Sequence, residues 1–189
     1  MKVLIACERS GRVRRAFRGR GHDAWSNDLM PADDGSRYHY KGDCKFVIQT
    51  NDWDLIVMHP DCTALAVSGN RWYGSGMPLH QERLEAIAWT VDLFEIAKSS
   101  AMMVALENPV GVLPMQASQY IQPWEFGHGE TKKTGLWLHN LPPLTPTDEV
   151  LGRENRVWKM APSADRKEKR SITYLGIADA MAEQWGGNV

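Results

Sequence analysis

Short apolar runs alternate with stretches of helical periodicity along most of this 189-residue chain. Residues 3–6, 55–58 and 101–106 are continuous runs of the kind that fills strands buried on both faces. Residues 22–27 and 136–138 predict two further strands. This alternation predicts an α/β fold with a mostly parallel central sheet.

Apolar residues at helical spacing lie between the predicted strands. Val13, Ala16 and Phe17 predict a helix that ends near Gly19 and Gly21. Most of the arginines around it are expected to form a solvated face. An amphipathic helix is predicted over residues 81–98 from the apolar positions Leu84, Ile87, Ala88, Val91, Phe94 and Ile96. A terminal helix is predicted from Ile177, Ala180, Met181 and Trp185.

The remaining segments are polar and rich in turn-forming residues. Residues 31–40 are expected to be an exposed loop, residues 70–78 a mobile flap, and residues 127–134 a polar loop. The pattern leaves residues 45–49 open between helix and strand. No internal repeat or clear linker divides the chain, so a single domain over residues 1–189 is expected.

Composition and charge narrow the class of protein. The chain is 43% hydrophobic and 24% charged, which excludes wholesale disorder, and its net charge of −1 excludes a general polycation. Three scattered cysteines favour a reducing compartment over a disulfide framework. No apolar run approaches the roughly 18 residues of a membrane span. A cytoplasmic protein with no membrane partner is therefore expected.

Reactive groups stand directly after two of the predicted strands. Cys62 follows His59-Pro60, and at the carboxyl edge of an open sheet it is a candidate nucleophile. A half-buried, inert cysteine is an equally good interpretation. Glu107 follows the run at 101–106, where partial burial would raise its pKa and suit it to act as a general acid.

The first two strands end in groups that suit a nucleotide-like ligand. The turn Cys7-Glu8-Arg9-Ser10-Gly11 leads into a helix whose terminal amides are expected to be free. Asp28, at the end of the second strand, is either a ribose ligand or a turn residue. The signatures of a zinc deaminase, a Walker loop and a serine nucleophile elbow are absent, and no metal site is expected.

In their order along the chain, these motifs resemble those of the DNA cytosine-5 methyltransferases, particularly small phage-type members. The resemblance runs from residue 3 to residue 186. Its motifs are Val3 to Gly11, Asp28, Gly42-Asp43-Cys44, His59-Pro60-Asp61-Cys62 with Ser68-Gly69, Glu107-Asn108-Pro109, and Leu175-Gly176-Ile177-Ala178.

The resemblance implies a Rossmann-like domain dependent on S-adenosylmethionine that methylates C5 of cytosine in DNA. In such chemistry a cysteine thiolate adds to C6 of cytosine while an acid protonates or hydrogen-bonds N3. In a duplex, the base must first be flipped out of the stack. The implied catalytic residues are Cys62, Glu107 and Asn108. The implied cofactor-binding residues are Cys7, Glu8, Ser10, Gly11, Asp28, Leu29, Asp43, Cys44, Pro60 and Ala178. Substrate contacts are expected from Ser68, Arg71, Lys132, Lys133, Arg166 and Lys167, the last two in a basic cluster.

Three departures from the family pattern leave other functions open. Asp61 replaces the proline before the cysteine and should raise the pKa of Cys62. The first motif carries a single glycine, and residues 142–170 are a reduced insertion where the family has its target-recognition domain. The alternatives are a catalytically silent module that binds DNA, protein or nucleotide, and a methylase of cytosine nucleotides. DNA or such a nucleotide is the expected partner, and a homodimer is possible.

Overall fold

The structure is a computed structural model that describes residues 1–156, 160–161, 163 and 166–187. Within the last range, residues 167 and 168 are described only as part of a helix. The strands are β1 (Lys2–Ala6), β2 (Asp23–Asp28), β3 (His39–Lys41), β4 (Trp53–Met58), β5 (Ala101–Pro109), β6 (Gln119–Ile121) and β7 (Thr134–His139).

The helices of the described residues lie mainly between strands in the sequence. They are α1 (Arg12–Gly19), α2 (Cys44–Gln49), α3 (Asn70–Tyr73), α4 (His80–Ser100), α5 (Arg166–Ser171) and α6 (Leu175–Gly186). Single 3₁₀ turns occur at Val67–Gly69 and Pro123–Glu125. In this part of the chain, no helix combines the length and the apolar character needed to cross a membrane.

The strands form one sheet in the order β3-β2-β1-β4-β5-β7-β6. Neighbours from β3 to β5 pair in parallel, whereas β7 runs antiparallel to both β5 and β6. The predicted Rossmann-like α/β class with a mostly parallel sheet is therefore confirmed. The chain passes to opposite sides of β1 for β2 and β4, which creates the crevice where such sheets bind ligands.

Alternate residues of the central strands serve two separate cores. Val3 and Ile5 of β1 pack with α1 and α6, where Met181 and Trp185 are buried. Leu4 faces the other side, in the cluster formed with α2 and α4. Because both faces are covered, β1 and β4 are apolar almost throughout, as the sequence pattern indicated.

Several predicted elements have different boundaries in the structure. The segment expected to be an exposed loop ends in strand β3, which pairs with β2, and the unassigned segment after it is helix α2. The amphipathic helix is longer, as α4, but Leu84 is 47% exposed while Arg83 is buried. The expected flap contains the short helix α3.

The reduced insertion is partly built into the core. The backbone of its buried residue Leu144 makes two hydrogen bonds with the Gln119 side chain: the amide donates to Oε1, and the carbonyl oxygen accepts from Nε2. Trp185 Nε1 donates to the Pro142 carbonyl oxygen at 3.0 Å. Gln184 of α6 also binds both backbone groups of Thr145. The part of this segment beyond residue 156 is described only at 160–161, 163 and 166–170.

One of the arginines expected on a solvated face is buried instead. Arg14 on α1 is 1% exposed, donates to Ser26 Oγ at 2.9 Å and forms an ion pair with Asp34. Arg15 reaches the same carboxylate at 2.7 Å. Burial disfavours the Asp34 anion, but the two arginines outweigh it and lower its pKa from 3.8 to about 2.

Replacing Arg14 by methionine should destabilise the fold by about 2 kcal/mol, because Ser26 and Asp34 lose a buried donor. Urea denaturation at pH 7 measures the loss. Arg20→Met is the matched control, since Arg20 makes an exposed pair with Glu183 and should cost less than about 1 kcal/mol. Equal losses in the two variants would contradict the role given to Arg14.

The same ion pair should make the free energy of unfolding depend on pH in the acidic range. The folded pKa of Asp34 lies below its unfolded value, so its contribution is present above pH 3.8 and is lost as the pH falls towards about 2. The wild type should therefore lose stability over this window more steeply than Asp34→Asn. Thermal unfolding between pH 2 and 5 provides the comparison, and parallel curves would refute it.

Candidate active site

The loop that carries Cys62 is held by backbone hydrogen bonds on both sides. The loop begins at Pro60, two residues after the end of β4. Within it, the amides of Leu65 and Ala66 donate to the Cys62 carbonyl oxygen at 3.1 and 2.9 Å. Further along, the loop pairs with residues 110–112, which follow β5. The approach is close at Gly111, where an added Cβ would lie 2.3 Å from the Leu65 oxygen. The Cys62 loop is therefore tied to the end of β5.

A buried arginine of α4 also holds this loop through hydrogen bonds. Arg83 is 5% exposed and donates from Nε to the Ala64 oxygen at 2.7 Å. Its two terminal nitrogens reach the Ala66 oxygen at 3.2 Å and Asn70 Oδ1 at 2.8 Å. The sequence analysis missed this residue, because only the folded chain shows that the loop's carbonyl groups converge on α4.

Cys62 and Glu107 line one open cleft of about 850 Å³ at the carboxyl ends of β4 and β5. Two distant stretches of sequence thus bring a thiol and a carboxyl group to the same cavity, as predicted. Other expected site residues also line this cleft, namely Pro60, Ser68, Asn108, Lys132, Lys133 and Arg166. Arg71 does not; it is exposed and lies over the ring of Trp72, which does line the cleft.

Glu107 is bound to a histidine that the sequence analysis left without a role. His59 Nδ1 lies 2.8 Å from Glu107 Oε2, and the side chains are 8% and 11% exposed. Burial alone would raise the pKa of Glu107, but the hydrogen bond from His59 and the charge of Lys132 overcome it and lower the pKa. The predicted raised pKa is therefore wrong, and the resting group is a carboxylate.

Cys62 is held as a thiol. Burial contributes most to raising its pKa, followed by the Glu107 carboxylate, while Lys132 and Arg170 act in the opposite direction. The effect expected of Asp61 is confirmed in direction, although it is smaller than that of Glu107. Asp61 Oδ1 also accepts from the amide and hydroxyl of Thr63, at 2.9 and 2.6 Å, and so shapes the turn.

Asn108 connects the two strand ends. Its side chain is 1% exposed, and Nδ2 donates to the Pro60 carbonyl oxygen at 3.0 Å. The structure thus gives Asn108 a positioning contact beneath the cleft.

Basic residues cluster along one side of the cleft. Lys132 and Lys133 precede β7, while Arg166 and Arg170 come from α5. Arg170 was not selected from the sequence, although it belongs to the basic cluster that contains Arg166. The side chain of the predicted contact Lys167 lies outside the described residues.

The turn after β1 differs from the expected anion site. The Glu8 carboxylate is buried and accepts from the amides of Val13 and Arg14, at 2.7 and 3.3 Å. These amides at the start of α1 are therefore occupied, and the expectation that they are free is wrong. The side chain of Ser10 lies near the same carboxylate, at 3.4 Å, and Gly11 adopts a φ of 66°.

The other predicted cofactor residues lie mostly along the carboxyl edge of β1 to β4. Asp28 accepts from the Met30 amide at 2.9 Å, which is the predicted turn role, and Leu29 beside it is 71% exposed. Asp43 caps α2, and Cys44 is buried against Cys7. Ala178 is an exception: it is fully buried in the core on α6 and offers no surface to a ligand.

The fold and this cleft define a Rossmann-like α/β domain with a cysteine and a carboxylate at adjacent strand ends. No family model and no curated protein matches the chain. Among 58 matching chains of solved structures is the crystal structure of the S. pombe Dnmt2 methyltransferase, at 14% identity and a TM-score of 0.46. That match covers 88% of this chain but only 57% of the other, so this chain spans less than two thirds of its length.

Arg83→Met should loosen the Cys62 loop, because two carbonyl groups and an amide lose their donor. Amide hydrogen exchange should rise in residues 62–70 and stay unchanged in β1 and β2. Lys98→Met is the control on the same helix, since Lys98 pairs with Glu95 and lies over the ring of Phe94, both on α4 itself. Unaltered exchange in the Cys62 loop would show that Arg83 does not hold it.

Glu107→Gln should make Cys62 more reactive, because a neighbouring negative charge disappears and the thiolate forms at lower pH. Iodoacetamide labelling at pH 8, followed by peptide mass spectrometry, should show a rate roughly 3- to 10-fold above wild type. Asp61→Asn should show a smaller increase. Glu95→Gln, on the exposed side of α4, should change nothing, and an unchanged rate in Glu107→Gln would disprove the electrostatic assignment.

Proposed function

We propose that the protein transfers a methyl group from S-adenosylmethionine to C5 of cytosine in DNA, with Cys62 as the covalent nucleophile. The observation that carries this proposal is the shared cleft of about 850 Å³, in which Cys62 and Glu107 stand at adjacent strand ends. Ligand sites of small molecules span roughly 300–1,000 Å³, so a pyrimidine nucleotide fits such a volume.

The chemistry assigns a distinct task to each side chain. The Cys62 thiol loses its proton to solvent, and the thiolate then forms a bond to C6 of the ring while the C5=C6 π bond breaks and N3 takes up a proton from solvent. The Glu107 carboxylate accepts a hydrogen bond from that N3–H or from the exocyclic amino group. Because Glu107 is held ionised, its role is to stabilise the protonated ring rather than to supply the proton.

Completion of the reaction needs a methyl group and the release of the enzyme. S-Adenosylmethionine, when bound, supplies an electrophilic methyl group to the activated C5. Loss of the C5 proton to solvent, departure of the Cys62 sulfur as a thiolate and return of the N3 proton to solvent then restore the aromatic ring. Cys62 is regenerated, and each turnover consumes one methyl donor.

The carboxyl edge of β1 to β3 suits the nucleoside part of such a cofactor. Asp28 is half-buried at the end of β2, where it can accept from ribose hydroxyl groups, and the exposed Leu29 offers an apolar surface that a purine ring would cover. Asp43 and Cys44 stand beyond the next strand end. Because Glu8 occupies the amides after β1, the proposal assigns the amino acid part of the cofactor to Cys7 and Ser10 of the same turn.

The basic side of the cleft supports an anionic polymer as the substrate. Lys132, Lys133, Arg166 and Arg170 can contact phosphate groups, and the half-exposed Trp72 offers a stacking surface for a base. In a duplex, C6 lies within the base stack, so the target base must leave the helix to reach Cys62.

The raised pKa of Cys62 is the observation that favours a rival function, a silent module that binds nucleic acid. Such a module would need no thiolate. The two functions differ in one chemical step, since only a methyltransferase adds its cysteine to the pyrimidine ring.

Transfer of a tritiated methyl group to cytosine-containing DNA tests the proposal. Wild type should label DNA, Cys62→Ala should abolish labelling, and Cys62→Ser should lower it by at least about 10³-fold, because an alcohol is a far weaker nucleophile. Glu95→Gln should keep full activity. DNA that contains 5-fluorocytosine should trap Cys62 covalently.

Two further arms separate the alternatives. Labelling of dCMP or dCTP without any labelling of DNA would identify a nucleotide methylase. Binding of S-adenosylmethionine, measured by calorimetry, without transfer to any of these substrates and without trapping would overturn the proposal in favour of a silent module.

A further inference from the structure

Among the described residues, the His59 ring makes one polar contact in the cleft, and that contact is with Glu107, the group that faces the substrate in the proposed reaction. Its backbone amide continues the β1–β4 ladder by donating to the Ala6 oxygen at 3.0 Å. Its ring projects towards β5, where Nδ1 lies 2.8 Å from Glu107 Oε2. Both side chains are about nine-tenths buried, so water competes little for this bond.

The chemistry of the two partners sets the direction of this bond. An ionised carboxylate only accepts hydrogen bonds, so Nδ1 carries a proton and His59 donates it to Glu107. The other ring nitrogen, Nε2, is buried and has no hydrogen-bond partner among the described residues, so within this part of the chain Nδ1 makes the polar contact of the ring.

We infer that His59 is the positioning residue of this cleft: through a single Nδ1–H it anchors Oε2 of Glu107 and leaves the other carboxylate oxygen for the substrate base. This inference rests on the proposed function for its catalytic consequence. The contact itself, and its effect on the carboxylate, belong to the free protein.

No other described neighbour of Glu107 replaces that anchor. Lys132 attracts the carboxylate through charge, and Cys62 repels it once ionised. The Thr134 side chain also lowers the pKa of Glu107, but its hydroxyl donates to the Lys132 carbonyl oxygen at 3.0 Å. Tyr174 shares a cavity of about 10 Å³ with Glu107. A carboxylate rotates easily about its last torsion, so a directional donor at one oxygen determines where the other oxygen points.

Two substitutions at position 59 distinguish positioning from simple packing. His59→Asn keeps an N–H donor at nearly the place of Nδ1, while His59→Leu fills space without donating. Loss of the donor should raise the pKa of Glu107, because burial would then be opposed mainly by Lys132 and Thr134. His59→Gln moves the amide one methylene further out and serves as a second test if the leucine variant does not fold.

The first measurement uses the free protein and needs no turnover. Carbon-detected NMR of labelled glutamate, with Glu107 assigned by Glu107→Gln, follows the titration of its carboxyl group. The midpoint should rise in His59→Leu and stay near wild type in His59→Asn. His139→Leu, at the far end of β7 from Thr134, should leave it unchanged.

The second measurement is the pH profile of methyl transfer. In His59→Leu, kcat should fall by about tenfold or more with little change in the KM for S-adenosylmethionine, and the acid limb should move to higher pH. His59→Asn should recover most of the loss.

The titration of Glu107 and the methyl-transfer assay distinguish failure of the His59 contact from failure of the proposed function. An unchanged Glu107 midpoint in His59→Leu, or equal behaviour of the asparagine and glutamine variants, would overturn the role of His59. Shifted midpoints in a protein that methylates nothing would keep the anchoring contact and reject the proposed function together with its catalytic consequence.

Discussion

The register between β4 and β5 is the constraint on which the site depends. Met58 lies opposite Leu106, so the next residue of each strand, His59 and Glu107, emerges on the same face and at the same height. Side chains alternate between faces, and a slip of one residue would turn Glu107 to the opposite side of the sheet. The buried residues Ile56, Met58, Val104 and Leu106 oppose that slip, because it would exchange the faces on which these apolar side chains lie. The geometry of the cleft is thus a consequence of core packing several residues away.

The same register creates an electrostatic conflict inside the cleft. A buried carboxylate stabilised by His59 and Lys132 stands close enough to raise the pKa of Cys62, so both groups cannot easily carry negative charge together. The resting protein resolves the conflict by keeping the sulfur protonated and the carboxylate ionised. Cations at the basic side reduce the cost of the thiolate, since Lys132 and Arg170 both lower the pKa of Cys62. The thiolate fraction of Cys62 is consequently low, and it rises when the charge balance of the cleft changes.

Sequence patterns predicted those parts of the fold that depend on local periodicity. Continuous apolar runs located β1, β4 and β5, and helical spacing located α1, α4 and α6, because burial on both faces or on one stripe leaves a direct signature in the chain. The three-residue strand β3 has no such signature, since its pairing with β2 and not its composition makes it a strand. The burial of Arg14 and Arg83 could not be predicted for a similar reason. Their partners, Asp34 and the carbonyl groups of the Cys62 loop, come close to these arginines only in the folded chain. The occupied amides after β1 could have been suspected, since a glutamate three residues before a glycine-initiated helix is able to fold back as a cap.

His59 shows how far a sequence argument could have been carried. It directly follows the apolar run at 55–58, just as Glu107 follows the run at 101–106, and equal offsets at the ends of neighbouring parallel strands place side chains together. That argument requires β4 and β5 to be neighbours, which consecutive strands of an α/β chain usually are. It would still have left the contact itself open, because the 2.8 Å approach of Nδ1 to Oε2 is a property of the packed structure. A histidine that donates from Nδ1 holds one oxygen of the buried Glu107 carboxylate in place. The same carboxylate raises the pKa of Cys62, so the contact that positions Glu107 also fixes the place of the charge that keeps the neighbouring sulfur protonated.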